Sequence, residues 1–339
     1  MRNYDHYLDD DYADFEAEFD PMQDRQTRRK RKQSVNHEPK KSREELIEEM
    51  AADSDHVSMG IEMTYNPSIF EEEWLFGSLR TFFDQQLITD VLAQVKGGKE
   101  ASVYRCEAAQ STGEALLAVK VYRPRKFRQL RNDATYREGR AILKANGEAL
   151  DGRDDRIVRA IGKKSSFGEQ VAHTSWLTYE VVTLRNLYDL GADVPKVYAA
   201  GENAILMQYM GDAGVAAPIL ASVRLEKAEA QRLFERVLWN IDLMLQNGIV
   251  HGDLSAYNIL YWDGDITLID FPQVINPHAN SNARMILQRD ITRVCEYFSG
   301  QGAECDAAGI MDMLWERYLA VDPVEFAADM SRYEVEDDE

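Results

Sequence analysis

The chain has 339 residues, 45% of them apolar and 10% aromatic, enough for a sizeable core in one large domain or two lobes. Its net charge of −20 argues against a general nucleic-acid binder, and its three cysteines (Cys106, Cys295, Cys305) give neither a disulfide framework nor a zinc spacing. No apolar run approaches the ~18 residues of a membrane span and the first residues are acidic, so a soluble, cytoplasmic protein with no membrane partner is expected.

Residues 1–68 read as a disordered charged tail, sparse in apolar positions. Residues 1–24 hold nine acids against one base, and residues 25–43 nine bases against one acid. The run Arg28 to Lys32 suits RNA or another polyanion, or an arm that folds back on the acidic block beside it. Order is expected from Ile69, where IFEEEWLFGSLRTFFDQQLI has helical spacing. LITDVLAQV, GGKEASVYRCEA and GEALLAVKVY then read as a three-stranded antiparallel meander.

Residues 123–174 read as a flexible basic insert with partial helix, as in ATYREGRAILKANG; 121–164 alone hold thirteen bases against six acids. A helix is expected from about Ser175 to Leu190, stopped at Gly191. VPKVYAAGENAILMQYMG gives two more strands. The stripe Leu233, Phe234, Val237, Leu238, Ile241, Met244, Leu245 gives an amphipathic helix over 225–247, ending at Gly248. ILYWDGDITLID is a hairpin on an Asp-Gly turn, and the chain is mainly helical from there to about Ala328. Residues 331–339 form an acidic tail.

The chemistry concentrates in HGDLSAYNILYWDGDITLID, residues 251–270. Asp253, Asn258 and Asp270 are spaced as in the protein-kinase pattern H-R-D-L-x-x-x-N followed by D-F-G. Phosphoryl transfer needs a carboxylate near the attacking oxygen, here Asp253, and an amide oxygen and second carboxylate on Mg²⁺, here Asn258 and Asp270. Lys120 in LLAVKVY is placed to contact phosphates, with Glu180 as its helix partner. GGKEASVY joins two strands where phosphates would be covered; the amides of Gly97, Gly98 and Lys99 and the Ser102 hydroxyl are the candidate contacts. Met207, Gln208 and Met210 read as a lobe-connecting hinge, with backbone groups of the last two facing adenine.

Together GKEASVY, HGDLSAYN, IDFPQ, and the later PHAN and RDI segments resemble the RIO family of atypical serine protein kinases, over about residues 76–300. The resemblance implies an α+β bilobal kinase-like fold of compact type. A β-rich lobe over 69–207 would carry the basic insert 123–174, and a helical lobe would follow over 208–330. It implies Asp253, Asp270 and Lys120 as catalytic residues. ATP would meet Lys99, Ser102, Val103, Lys120, Glu180, Met207, Gln208 and Met210. Mg²⁺, with Mn²⁺ as a substitute, would sit on Asn258 and Asp270. It further implies serine phosphorylation, autophosphorylation (Ser165 and Ser166 are candidate sites) and, in some members, an ATPase switch through a phosphate on the residue matching Asp270. Small-subunit ribosome maturation is the family's role in archaea and eukaryotes, and the basic segments 25–43 and 123–164 would dock such a particle or RNA. Gly252 stands where most kinases carry arginine, and no A-P-E follows Asp270. Two other readings share part of the motif: a small-molecule phosphotransferase of the aminoglycoside- or choline-kinase kind, and an assembly factor that binds ATP without transfer.

Overall fold

The computed structural model describes residues 63–319, except 99, 124–135, 137, 145–146, 151–156, 158–160 and 162–165. The expectations placed on residues 1–62, including the basic segment 25–43, on Lys99, on Ser165, on most of 123–164, on helix over 320–328 and on the acidic tail lie outside the described residues; the last part of the expected N-terminal tail, 63–68, is instead ordered, with the Tyr65 amide bonded to the Val91 carbonyl at 2.8 Å. Helix α1 (Ile69–Asp84) leads into strands β1 (Ile88–Gly97), β2 (Ala101–Ala108) and β3 (Leu116–Tyr122). Helix α2 (Ser166–Asp189) precedes β4 (Val197–Ala200) and β5 (Ala204–Gln208). The five strands form one antiparallel sheet in the order β1-β2-β3-β5-β4.

β3 is central, and its sequence shows it: six of its seven residues are buried, so both faces are covered. Leu117, Val119 and Val121 pack with Leu75, Leu79 and Phe82 of α1. Ala118 and Tyr122 point the other way, into the larger core with Trp176, Leu177 and Val181 of α2. Lys120 has their parity, so the alternation of an ordinary strand delivers one lysine to the inner face.

After β5 come α3 (Lys227–Gln246), a hairpin of β6 (Ile259–Trp262) and β7 (Asp265–Leu268), then α4 (Ala283–Gly300) and α5 (Ala307–Tyr318). α3 buries Leu233, Phe234, Val237, Ile241, Met244 and Leu245, the expected stripe apart from the half-buried Leu238. In the hairpin turn Asp263 and Gly264 both have positive φ (49° and 85°), as a two-residue type I′ turn requires. The architecture is thus α+β, a β-rich lobe followed by a mainly helical one. No helix among the described residues is long and apolar enough to cross a membrane.

Three expectations are corrected. α2 begins at Ser166, nine residues before the expected Ser175. The residues described within 138–150 form a turn and an isolated bridge, Leu143 to Ala149, in place of helix. The chain from 269 to 282 is irregular, so helix resumes only at Ala283. That irregular segment is pinned by Arg140, which donates to the carbonyls of Pro272 (2.7 Å) and Val274 (2.9 Å).

Candidate active site

Lys120 Nζ is 2.7 Å from Glu180 Oε1 and 2.5 Å from Asp270 Oδ1. A strand, a helix and a loop therefore converge on one ammonium. Glu180 is 1% exposed and is held by three donors: Lys120, the Tyr122 hydroxyl and the Phe271 amide at 3.3 Å. Two carboxylates share one lysine, so the group carries a net negative charge when all three are ionised. Burial pushes the Glu180 carboxyl up, and the pull of Lys120 only partly offsets it. Burial also opposes ionisation of Asp270, but the charge and hydrogen bond of Lys120 hold its carboxyl below the ordinary range. Burial disfavours a charged Lys120, yet its two acidic partners raise it above an ordinary lysine. Asp270 has φ +69°, a left-handed conformation uncommon outside glycine. Its side chain is 42% exposed, so it reaches solvent while Glu180 does not.

The loop between α3 and β6 is closed by reciprocal backbone bonds between Val250 and Ile275, both 3.0 Å. Leu254 and Ala256 anchor it in the core. Asn258 Nδ2 donates to Asp253, to its carbonyl at 2.8 Å and to Oδ2 at 3.1 Å. With its nitrogen spent there, Asn258 has Oδ1 to offer a cation. The Asn258 carbonyl accepts from the Ile269 amide at 2.9 Å, which locks this loop to the one carrying Asp270. Helix α4 grips the loop from below. Asp290 Oδ2 accepts the Gly252 amide at 2.8 Å, Arg289 donates to the Gly252 carbonyl, and Arg293 Nη1 lies 2.8 Å from Asp253 Oδ1. Gly252 has φ +83°, and a Cβ there would stand 2.3 Å from the Gln273 carbonyl. This is the physical reason that glycine occupies the position where most kinases carry arginine.

The structure thus brings Lys120, Glu180 and Asp270 into contact, and joins Asp253 to Asn258. Val103 is the cross-strand partner of Lys120 and shares its face. Met207 pairs with Ala118 on that face too. Ser102 does not join them: it pairs with Val121 and is buried, 1% exposed, on the α1 side, so its hydroxyl cannot meet a phosphate beside Lys120. The Gly98 amide closes the β1–β2 turn onto the Ala101 carbonyl at 2.9 Å, which removes it from the candidate phosphate contacts. At the hinge the Gln208 amide bonds the Lys196 carbonyl and the Met210 carbonyl accepts from Ala217, while no bond among the described residues uses the Met210 amide. Sequence reasoning missed Tyr122 and Arg293, and it singled out Arg289 and Asp290 in the RDI segment without a role. Tyr122 was accessible as the residue two after Lys120 on the same strand face. The charged run Arg289-Asp290 on an otherwise apolar helix face was the trace of the other grip.

Asn258 and Asp270 offer one amide oxygen and one carboxylate, hard donors that suit Mg²⁺, an ion that completes its shell with water and substrate phosphates. Among the described residues no group of three His, Cys, Asp or Glu is placed to hold a metal by itself.

These motifs have matches among known proteins. A family model described as RIO domain matches residues 150–310. The RIO-type serine/threonine-protein kinase Rio1 of Haloferax volcanii is 30% identical over 222 residues, 65% of this chain and 67% of that one. The Rio1 of Methanocaldococcus jannaschii is 27% identical over 242 residues, 71% of this chain and 73% of its own. The serine/threonine-protein kinase RIO1 of Chaetomium thermophilum is 29% identical over 232 residues, 65% of this chain but only 41% of the fungal protein. With the kinase-like lobes, the shared lysine and the two loops already in place, the chain belongs to the RIO family of serine/threonine-protein kinases.

Proposed function

We propose that this protein transfers the γ-phosphate of ATP to serine or threonine hydroxyls, using Mg²⁺ or, in its place, Mn²⁺. The observation that carries the reading is Lys120 held between Glu180 and Asp270. Phosphoryl transfer needs little covalent help, and positioning and charge stabilisation supply most of the rate. Glu180, anchored by Tyr122 and Phe271, aims Lys120 at the α- and β-phosphates. Asn258 and Asp270 would hold the cation, which would supply charge neutralisation for the triphosphate. Val103 and Met207 cover the nucleotide from the sheet, and the Met210 amide meets the adenine edge. Asp253 orients the acceptor hydroxyl: its oxygen bonds to the γ-phosphorus, the β,γ-bridging P–O bond breaks, ADP leaves, and the hydroxyl proton passes to the Asp253 carboxylate.

A second reading uses the same site as an ATPase switch. It is favoured by Asp270, a carboxylate held ionised and 42% exposed. In that cycle an Asp270 oxygen attacks the γ-phosphorus, ADP leaves, and water later hydrolyses the acyl phosphate. Autophosphorylation, a cytoplasmic location, and docking of RNA or a small ribosomal subunit on the basic segments 25–43 and 123–164 complete the proposal. The test is purified full-length protein with γ-labelled ATP and Mg²⁺. Hydroxylamine-stable label on serine supports the transfer cycle, and hydroxylamine-labile label lost in Asp270→Asn supports the switch. Absence of label on any protein overturns both, in favour of a small-molecule acceptor or a non-transferring ATP binder.

A further inference from the structure

Arg293 has no role in the chemistry described so far, yet it touches the acceptor-orienting carboxylate. It lies three residues after Asp290 on α4, so both side chains leave one helix face. Its Nη1 is 2.8 Å from Asp253 Oδ1, and the two side chains are only 7% and 11% exposed. The other carboxylate oxygen, Oδ2, accepts from Asn258 Nδ2 at 3.1 Å. Donors from two different elements therefore fix the carboxylate in direction and in plane. Among the described residues the other charged neighbours are Asp290, bonded to the Gly252 amide, Arg289, bonded to the Gly252 carbonyl and the Tyr136 hydroxyl, and His251, whose Nε2 meets the Ile269 carbonyl.

Docking the loop on α4 does not require Arg293. Asp290 and Arg289 already hold the Gly252 backbone, and Ile286, Leu287, Ile291 and Val294 bury the helix against the core. Arg293 reaches past that contact to the carboxylate itself. A transition state that leaves the attacking hydroxyl largely intact asks of Asp253 a fixed direction more than strong basicity. One guanidinium N–H on Oδ1 supplies direction, and the charge of the group offsets that of the carboxylate.

We propose that Arg293 is a positioning residue for phosphoryl transfer, holding Asp253 by Oδ1 so that Oδ2 faces the acceptor hydroxyl. This rests on the kinase reading above. Arg293 acts on the transfer step alone, since it contacts neither Lys120, Asp270 nor the hinge.

The test compares full-length wild type, Arg293→Met, Arg293→Lys and Arg293→Ala, with γ-labelled ATP, Mg²⁺ and casein as a generic serine-bearing acceptor. A fluorescent ATP analogue reports nucleotide affinity. In Arg293→Met, kcat should fall about 30- to 300-fold, the range that misaligned reacting groups cost, while nucleotide affinity stays within about three-fold of wild type. Arg293→Lys should keep part of the rate, and guanidinium added at tens of millimolar should raise the rate of Arg293→Ala but not that of Asp253→Ala. A folded Arg293→Met with kcat within about three-fold of wild type overturns the inference, as does a loss of nucleotide affinity equal to the loss of rate. If Arg293→Met fails to fold, Arg293→Lys decides: wild-type kcat overturns the proposal, and a lowered kcat at unchanged nucleotide affinity supports it. An inactive wild type would instead overturn the kinase reading itself.

Discussion

Lys120 Nζ and Asp270 Oδ1 stand 2.5 Å apart, although 150 residues separate them in the chain. The contact spends on each other the two groups that the proposed chemistry needs, one for phosphate and one for the cation. On the proposed reading, nucleotide and Mg²⁺ would part them, and phosphate and metal contacts would offset the ion pair given up. Asp270→Asn removes the charge while keeping the shape, and asparagine tolerates the left-handed φ of 69° at this position. We expect transfer of label from γ-labelled ATP to fall by about 10³-fold, as loss of a charge-stabilising group does. The cooperative unfolding transition, followed by circular dichroism, should survive. Transfer at the wild-type rate would show that Asp270 is not the metal-holding carboxylate.

Glu180 makes the triad sensitive to pH. Its carboxyl is raised in the folded protein by burial, above an ordinary value of 4.5. Between that value and the higher folded one, the folded state binds more protons than the unfolded chain, so stability falls as pH rises through the window. Asp270 acts in the opposite sense, because its carboxyl is depressed: its contribution is present above 3.8 and is lost only as pH falls through the lower folded value. In urea titrations at pH 7, 6 and 5, wild type should therefore gain stability relative to Glu180→Gln as pH falls. A pH-independent difference would mean that Glu180 ionises normally despite its burial.

The residues with legible roles are those whose spacing along one loop is itself the signal. Asp253, Asn258 and Asp270 lie within twenty residues, and Lys120 sits in a strand whose apolar run marks it as central. Strand parity decided the case of Ser102. It neighbours Val103 in sequence, but successive side chains point to opposite faces, so only one of the two can share a face with Lys120. The early start of α2 was hidden because its first nine residues, SFGEQVAHT, hold a glycine and few large apolar side chains, so periodicity carries little signal there. Arg293 was illegible because its partner lies 40 residues away, and a single sequence does not record which buried charges pair.

Gly252 tests the backbone of the acceptor-orienting loop. Its φ of +83° and the 2.3 Å approach to the Gln273 carbonyl leave no space for a side chain. Gly252→Ala should cost at least about 2 kcal/mol, from a strained conformation and a backbone clash together. Since Gly252 adjoins Asp253, the relaxed loop would also misplace the carboxylate, and phosphate transfer should fall with stability. Thermal unfolding and the initial transfer rate, measured on one preparation, check both. An alanine variant with unchanged melting temperature would show that the loop accepts another conformation at no cost.

Asn240 offers the opposite separation, stability without chemistry. It is fully buried on α3, and its Oδ1 accepts the Asp193 amide at 2.9 Å. Its Nδ2 donates to Asp193 Oδ2 at 2.7 Å and to the Arg236 carbonyl at 2.9 Å. Asp193, in the turn between α2 and β4, also accepts Arg236 Nε at 2.6 Å, and its carbonyl receives the Leu268 amide at 2.7 Å. One asparagine thus fastens the end of the helix carrying Glu180 to the helical lobe. Asn240→Leu leaves a buried amide and a carboxylate oxygen short of partners, at a cost of about 2–4 kcal/mol. Melting should drop by roughly 2–4 °C per kcal/mol for a domain of this size. Below the transition, transfer at saturating ATP should stay within about two-fold of wild type, because Asn240 makes no contact with Lys120, Asp253 or Asp270 and its loss removes no transition-state interaction. A large loss of kcat in the folded variant would mean that the turn at Asp193 sets the position of Glu180, and through it the aim of Lys120.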